Sequence, residues 1–407
     1  MLGGETRKNL INELNESSPG VKHQAVESGR KLVLRNSHTK SIMEIDGYIK
    51  RRLKLLFRDS GLDAIVIMNT SIKDSNFTYM TDFSSGVFED TILLLFPDGE
   101  TLLVNKLERE IALESAPKAM EVVGADTSEE IASLLEKALK GKNVGFNAKF
   151  LPYSYYTAIR KLGKPKRMVD VGKSFSILRT VKDEYEIDRI RKANSIAKLA
   201  FEEIPKHFSE GITEHQLAAR FDSLMLDAGA TSPSFDTIIC FGKNSALPHH
   251  SPDNSKLREN SIVLIDAGAK WGNYCSDLTR SFFFRPQKSS RQYGEFEEMY
   301  STVEEAQAEA FASIKAGVSA SAPHMVAENI IDEAYGGKYA GKFIHSLGHS
   351  IGIEVHDESM ISLSPRSKET LLKGMVFSDE PGIYMVGKGG VRLEEDVLVG
   401  SGSSSVL

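Results

Sequence analysis

The stretch 262–284 constrains the fold of this chain most, because it predicts a hairpin that carries two aspartates. Its first half is apolar and β-branched, its second half ends in aromatic residues, and a turn signal separates them. A turn centred between Trp271 and Gly272 places Asp266 opposite Asp277, with side chains roughly 5 Å apart on one face. Two carboxylates that close repel each other unless a divalent cation, or a pair of them, lies between. A solvated hairpin in a slipped register, with both acids exposed, is the alternative that this segment leaves open.

The composition bounds the class of protein. At 407 residues the chain suits two domains, and its 41% hydrophobic and 26% charged residues are typical of a soluble globular protein. The net charge of −6 comes from interspersed charges, which argues against a nucleic-acid-binding protein.

Cysteine content and apolar runs bear on the location of the protein. Cys240 and Cys275 cannot form a disulfide framework, so we expect a reducing, cytoplasmic compartment. No apolar run approaches the length of a membrane span, and the N-terminus lacks the apolar core of a signal peptide. We therefore expect neither membrane association nor export.

Changes in composition and apolar periodicity divide the chain into three parts. Residues 1–42 have little apolar periodicity and predict a flexible extension or a misassigned start, with Met43 as the alternative beginning. Residues 43–172 alternate strand and helix patterns, which predicts a smaller α/β domain. Residues 173–407 mix helices with antiparallel hairpins, which predicts an α+β domain.

The apolar spacing predicts the main elements of both domains. In the N-terminal domain it indicates a helix over 45–57, strands at 63–68, 91–96, 101–104 and 143–146, and a helix at 129–139. In the C-terminal domain it indicates helices over 187–200, 214–228, 295–316 and 323–334, the second of them N-capped by Thr213.

Three histidines follow at short spacing. His345 and His349 have the i,i+4 spacing of a helical zinc pair, but Gly348 and Gly352 argue against a helix. We expect instead a loop entering a strand, in which the glycines allow close backbone approach. For His345 we expect an imidazole satisfied by local hydrogen bonds, and His356 stays a functional candidate.

Acidic residues near the C-terminus are further candidates. A buried-looking strand ends in Asp379-Glu380, and strand alternation over 391–399 places Arg392, Glu394 and Asp396 on the face opposite the valines, with Glu395 on the apolar side. Taken singly, each acid is better explained as solvated sheet surface.

Together these residues predict a metal centre. Asp266, Asp277, Glu380 and Glu394 supply four negative charges and His349 a neutral nitrogen, which two divalent cations would balance. Manganese, cobalt, iron and zinc all accept such ligands. Two cations about 3.5 Å apart ionise a shared water near neutral pH, which supports hydrolysis of a carbonyl or phosphoryl group.

The order Asp, Asp, His, Glu, Glu resembles that of the pita-bread dinuclear metallopeptidases, which include methionine aminopeptidase, aminopeptidase P and prolidase. Five motifs carry the resemblance: Ile265-Asp-Ala-Gly268, Ser276-Asp-Leu-Thr-Arg280, Gly348-His-Ser-Ile-Gly352, Asp379-Glu-Pro-Gly382 and Val391-Arg-Leu-Glu394. The segment 75–83 also resembles the N-terminal domain of the prolidase and aminopeptidase P branch, which methionine aminopeptidases lack. The resemblance implies a C-terminal pita-bread domain behind a creatinase-like N-terminal domain.

The resemblance also implies a role for each metal ligand. Asp266 would chelate one metal, Asp277 and Glu394 would bridge both, and His349 and Glu380 would complete the second site. The nucleophile would be a hydroxide bridging the two metals.

Other residues acquire substrate roles by the same resemblance. Glu380 would take the proton from the nucleophilic water, and His249 would assist at the scissile amide, with His250 a weaker candidate. His356 would bind the carbonyl or the developing oxyanion, and Arg392 would orient carboxylates near the substrate. Glu395 departs mildly from the family pattern, which usually has Asp there.

The expected activity is hydrolysis of the bond preceding proline in X–Pro dipeptides, by a homodimer. Aminopeptidase P, which releases the N-terminal residue from longer X–Pro peptides, shares every motif, and the compact length favours the dipeptidase. A non-catalytic pita-bread binding protein and a metal-independent creatine-type hydrolase are further alternatives. Both lack the ligands that this chain retains.

Overall fold

The computed structural model describes residues 36–359 and 361–407. The chain divides into two compact units between Leu178 and Arg179. The extension expected over residues 1–42 falls largely outside the described residues, and the first described helix begins at Asn36, ahead of Met43. Within the described ranges, none of the helices combines the length and apolar composition needed to cross a bilayer.

From residue 36 onward, the N-terminal unit contains six strands and the helices that connect them. The strands are β1 Ala64–Asn69, β2 Thr91–Phe96, β3 Gly99–Val104, β4 Glu121–Gly124, β5 Asn143–Phe146 and β6 Arg167–Asp170. The helices are α1 Asn36–Phe57, α2 Ser75–Thr81, α3 Arg109–Ser115, α4 Ser128–Leu139 and α5 Tyr153–Gly163, and α6 Gly172–Thr180 crosses the division.

These strands form one mixed sheet in the order β4-β3-β2-β1-β5-β6. β2 pairs antiparallel with β1 and β3, so the strands predicted at 91–96 and 101–104 form a hairpin. β5 runs parallel to β1 and β6. Val66, Leu94 and Leu135 belong to a fully buried cluster between the sheet and α4. All six residues of β1 are buried although their side chains alternate between the two faces, so both faces of the sheet are covered at this strand.

The C-terminal unit combines helices with small antiparallel sheets. Its helices are α7 Glu184–Glu203, α8 Glu214–Asp227, α9 Arg291–Ser313 and α10 Ala322–Gly337. Its strands are β7 Ser232–Pro233, β8 Ile238–Phe241, β9 Ser261–Ala267, β10 Ala269–Trp271, β11 Tyr274–Cys275, β12 Leu278–Phe284, β13 Val376–Asp379, β14 Gly382–Met385, β15 Gly389–Arg392, β16 Glu395–Leu398 and β17 Ser405–Val406. They form sheets ordered β11-β10-β7, β12-β9-β8, β13-β16-β17 and β14-β15.

The core of this unit lies where α7 and α8 cover the β8–β9–β12 sheet. Ile196 of α7, Phe221 of α8 and Ile265 of β9 are among its fully buried members. Thr213 caps α8 as predicted, because its side chain accepts from Gln216 N while Gln216 reaches back to the Thr213 N–H.

The predicted register of the central hairpin is wrong. Trp271 pairs with Tyr274, so the turn is centred one residue later, on Gly272 and Asn273, with φ of 52° and 71°. Both residues tolerate the left-handed region that such a two-residue turn requires.

As a result, Asp266 lies opposite Thr279 rather than opposite Asp277. Asp277 is two residues from Thr279, and residues two apart along a strand share a face. The two acids are therefore diagonal neighbours on one face.

The continuous alternation predicted over 391–399 is interrupted. β15 pairs with β14 and β16 pairs with β13, so the chain changes sheets at Leu393–Glu394. Arg392, Glu394 and Asp396 are nevertheless all buried, which excludes the solvated-surface interpretation. Glu395, expected on an apolar side, forms ion pairs with Arg280 and Lys198.

Gly268 joins β9 to β10 at a point where the backbone admits no side chain. A Cβ at this position would lie 1.8 Å from the Ser276 carbonyl oxygen. Gly268→Ala therefore forces a backbone shift, and we expect the unfolding free energy to fall by about 1–3 kcal/mol. Urea unfolding measures it.

Gly294→Ala is the matched control, since a Cβ at this position in α9 meets nothing within 4 Å. Alanine there should be neutral or stabilising by about 0.5–1 kcal/mol. Equal unfolding midpoints for the two variants would contradict the close approach at Gly268.

Candidate metal centre

A cavity of about 490 Å³ in the C-terminal unit gathers the residues singled out by the sequence. Its lining includes every predicted site residue: His249, Asp266, Asp277, His349, His356, Glu380, Arg392 and Glu394. Phe235, Ile238, Pro248 and Val355 form an apolar part of the wall. The volume is in the range of small-ligand sites.

Strand ends from different sheets carry the acids. Asp266 lies near the end of β9 and Asp277 directly precedes β12. Glu380 follows β13, and Glu394 lies between β15 and β16, where it bridges to Thr279. The acids therefore converge because their strands end around the same cavity.

A loop brings His349 to the acids, as predicted, but residues 350–359 do not form the strand that was expected to follow it. Isolated bridges of Gly348 to Leu363 and of Ser350 to Phe377 hold the loop on both sides of the histidine. A Cβ on Gly348 would lie 1.8 Å from the Ser378 carbonyl oxygen, so this position requires glycine.

His349 faces two of the carboxylates. Its Nε2 lies 3.5 Å from Asp277 Oδ2 and 3.5 Å from Glu380 Oε1. Ligand atoms of Asp277, His349 and Glu394 all lie within 4.8 Å of one another, as the ligands of a shared ion would.

Arg392 is the buried cation beside the acids. Its Nη2 donates to Asp266 Oδ2 at 2.5 Å and its Nε donates to Thr279 Oγ1 at 3.1 Å. Thr279 Oγ1 in turn donates to Glu394 Oε2 at 2.6 Å. Thr279 was not singled out by the sequence, because its role depends on the register that the turn sets.

Burial and mutual repulsion shift the protonation of the acids. Burial raises the pKa of Asp277 well above its usual range, and Glu394 and Asp266 raise it further. Burial and then the charge of Glu380 raise the pKa of Glu394 in the same way. The pKa of Glu380 is raised to about 8, again by burial first, although Arg392 opposes the rise. These acids are therefore driven toward the neutral form, whereas a bound cation favours the charged form.

The donor set fits divalent metal ions. Asp266 Oδ1 and Asp277 Oδ1 are buried and have no hydrogen-bond partner within the described part of the chain. A buried carboxylate oxygen without a partner is costly unless a cation takes its place. Carboxylates combined with one imidazole suit first-row divalent metals.

The imidazoles near the acids are held neutral. Burial, followed by the neighbouring His356, lowers the pKa of His349 to about 3. The two rings lie 4.0 Å apart between centroids and nearly perpendicular. A neutral imidazole leaves a ring nitrogen free to coordinate a metal.

His345 is satisfied by neighbours, as we expected, but it also lines the cavity. Its Nδ1 lies 2.9 Å from Ser346 O and its Nε2 lies 2.7 Å from the Tyr384 hydroxyl. Burial lowers its pKa to about 4. Since Arg392 donates to the same hydroxyl at 2.9 Å, a polar chain runs from Asp266 to His345.

A buried ion network adjoins His356 in the sequence. Asp357 pairs with Arg179, and it accepts from Lys182 Nζ at 3.1 Å. Lys182 also donates to Ser350 Oγ at 3.0 Å, next to His349. The network therefore joins the loop around His356 to that around His349. Arg179, Lys182 and Asp357 were not singled out from the sequence, because Asp357 lies far from the other two in the chain.

Two family profiles match the chain. That of metallopeptidase family M24 matches residues 188–401, and that of the creatinase/prolidase N-terminal domain matches residues 50–181. The chain belongs to metallopeptidase family M24. The cavity lies entirely within the part of the chain that the first profile matches.

Named relatives cover nearly the same span. The chain is 34% identical over 362 residues to an Xaa-Pro dipeptidase of Pyrococcus horikoshii, covering 88% of this chain and 96% of the relative. It resembles the structure of an Xaa-Pro dipeptidase from Bacillus anthracis with a TM-score of 0.77 and 30% identity, covering 90% and 97% of the two chains. An X-Pro aminopeptidase from Thermotoga maritima gives the same TM-score and identity, with coverage of 86% and 96%. The pita-bread fold with its creatinase-like N-terminal domain is thereby confirmed.

Asp357→Asn should destabilise the protein strongly, because it leaves Arg179 and Lys182 buried with less compensating charge. We expect a loss of about 3–5 kcal/mol in unfolding free energy at pH 7. Burial works to raise the pKa of Asp357, but the charges of Arg179 and Lys182 hold it below its usual value. The carboxylate therefore stabilises the fold above its unfolded-state pKa of about 3.9, and this stabilisation is lost as pH falls through the folded value.

The difference in unfolding free energy between wild type and Asp357→Asn should therefore shrink below about pH 4. Chemical denaturation at several pH values measures it. Asp188→Asn is the control, because Asp188 pairs with Arg191 on the surface, where a pair contributes about 0–1 kcal/mol. If Asp357→Asn lowered the unfolding free energy by the same amount at every pH, the ion-pair explanation would be wrong.

Proposed function

We propose that this chain hydrolyses the peptide bond preceding proline in X–Pro dipeptides, using two divalent metal ions. The observation that carries the proposal is the convergence of four acids and one neutral imidazole, with buried carboxylate oxygens that lack partners among the described residues. The names of the Pyrococcus horikoshii and Bacillus anthracis relatives support the substrate class.

Five residues would hold the metals. Asp266 would chelate one ion, Asp277 and Glu394 would bridge both, and His349 and Glu380 would complete the second site. Manganese, cobalt, zinc and iron all suit this set. When bound, the ions supply Lewis acidity and lower the pKa of water enough to provide a nucleophile at neutral pH.

The remaining groups would bind substrate and move protons. Glu380 would accept a proton from the attacking water. His249, exposed at the cavity wall, would donate toward the proline nitrogen. His356, also exposed there, would donate a hydrogen bond to the carbonyl oxygen as negative charge develops on it. Arg392 would hold Asp266 in orientation beside the substrate.

The apolar part of the wall suits a prolyl ring. Phe235, Ile238, Pro248 and Val355 offer a surface without charge next to the acids. An X–Pro amide carries no N–H, so placing it against this apolar wall leaves no donor without a partner.

Aminopeptidase P activity on longer X–Pro peptides is the second candidate. The Thermotoga maritima aminopeptidase favours it, because its fold matches this chain as well as that of the Bacillus anthracis dipeptidase. A non-catalytic binding protein is less favoured, since the whole ligand set is present. A homodimer stays a prediction from the family resemblance, and a cytoplasmic location stays one from the two cysteines.

Asp277→Ala should abolish metal retention, because it removes a bridging ligand. We expect fewer than two bound ions per chain and at least a 100-fold loss of X–Pro hydrolysis, since even outer-shell partners of metals contribute roughly 10–100-fold. Metal analysis of dialysed protein and hydrolysis of alanyl-proline measure both. Glu309→Ala on the exposed face of α9 is the control and should match wild type. Full activity of Asp277→Ala with one ion or none would refute the dinuclear centre.

Peptide length separates the two candidate activities. We expect alanyl-proline to have a kcat/KM roughly tenfold above that of alanyl-prolyl-alanine, because a site fitted to the dipeptide must find room for the added residue. Alanyl-alanine tests the need for proline. A higher kcat/KM for the tripeptide would replace the dipeptidase with aminopeptidase P.

A further inference from the structure

The segment that brings His249 to the cavity surrounds one buried carboxylate, that of Glu214. Glu214 is fully buried in the first turn of α8, directly after the N-cap Thr213. An acid in a first helical turn is normally explained by the helix dipole, which does not require burial. Complete burial indicates an additional role.

Glu214 accepts hydrogen bonds from four donors of this segment. Its Oε1 accepts from Phe241 N at 2.7 Å and from Asn244 Nδ2 at 2.9 Å. Its Oε2 accepts from Asp253 N at 3.1 Å and lies 2.8 Å from His250 Nε2. Because a carboxylate only accepts, the His250 Nε2 carries the proton of that bond. One side chain thus fixes residues 241–253 at both ends and near the middle.

These contacts also direct the side chains of the two adjacent histidines to different places. His250 is turned to Glu214, whereas His249 is exposed and lines the cavity. Ser245 Oγ accepts from Gly390 N at 2.8 Å, which ties the same segment to β15. The position of His249 therefore depends on the Glu214 contacts and on β15.

A cation site at Glu214, His250 and Asp253 is the competing explanation, because their ligand atoms lie close enough to share an ion. Both oxygens of Glu214 are already engaged by hydrogen-bond donors. The Asp253 carboxylate is engaged too, since it accepts from Ser255 N at 2.6 Å. The arrangement is therefore complete without an ion.

We propose that Glu214 is a positioning residue, which holds residues 241–253 so that the His249 imidazole reaches the scissile amide. The proposal rests on the proposed X–Pro hydrolysis for its kinetic consequence, although not for its structural one. Misplacement of a proton-transferring group by about 1 Å can cost roughly 100-fold in rate. Glu214 therefore acts on the reaction through His249.

Glu214→Gln tests this with nearly unchanged shape. The amide group replaces an oxygen that faces two donors, so two of the four hydrogen bonds are lost and donors face each other. Glu184→Gln is the matched control, because Glu184 occupies the same helix position after the cap Asp183 but is exposed. Both changes remove one charge from a first helical turn.

For alanyl-proline hydrolysis, we expect Glu214→Gln to lower kcat about 10–100-fold with a smaller change in KM. In a His249→Ala background the same change should lower kcat less than about twofold, because its effect passes through His249. Metal content should stay at the wild-type value. Equal losses in both backgrounds, or wild-type kcat for Glu214→Gln, would overturn the proposal.

Hydrogen exchange separates this proposal from the proposed function. Amides of residues 241–253 should exchange faster in Glu214→Gln than in wild type or Glu184→Gln. Unchanged exchange overturns the positioning role even if the enzyme cleaves X–Pro peptides. A wild-type protein inactive on these peptides overturns the proposed function alone.

His250→Ala covers the case in which Glu214→Gln does not fold. It removes one of the four donors and leaves the carboxylate in place. We expect faster exchange of the same segment and a smaller decrease in kcat, again absent in the His249→Ala background. Wild-type exchange and kcat in this variant would count against the proposal.

Discussion

The repulsion among acidic side chains in one buried cavity is the constraint on which the C-terminal unit depends. Asp277 and Glu394 are nearly inaccessible to water, and the charges of neighbouring acids raise the pKa of each. Apolar residues of similar volume in place of such buried acids would often make the fold more stable. Their presence in a cavity of this size indicates that a bound positive charge completes the structure. This explains why the site also offers carboxylate oxygens that have no hydrogen-bond partner among residues 36–359 and 361–407.

The surrounding polar groups orient the acids without neutralising them. Thr279 donates to Glu394, and the Ser378 hydroxyl lies 3.2 Å from Glu380 Oε1, so each carboxylate keeps one oxygen for another partner. Arg392 forms its direct ion pair with Asp266 and acts on Glu380 and Glu394 only through its charge. Hydrogen bonds of this kind fix rotamers and direction, which matters more to a catalytic site than their contribution to stability.

Apolar periodicity and short motifs are local properties of a chain. The sequence therefore predicted the main helices and strands and the eight charged or imidazole side chains proposed for the site, although not the apolar wall around them. It failed where geometry depends on one residue of turn placement: the left-handed preference of Asn273 moved the turn and gave Thr279 the place expected for Asp277. It also missed Glu214 and Asp357, since an acid beside a helix start or a histidine is usually exposed. Their burial follows from packing between distant segments, which a single sequence does not reveal.

Glu394 lies where the chain passes from one small sheet to the next, whereas Asp266 and Asp277 come from a hairpin far earlier in the chain. Contacts between such distant segments form late in folding because their loop-closure cost is large. On the proposed assignment, a nascent chain leaving the ribosome lacks the complete ligand set until Glu394 has emerged. Uptake of both cations would then accompany the formation of these long-range contacts rather than precede it.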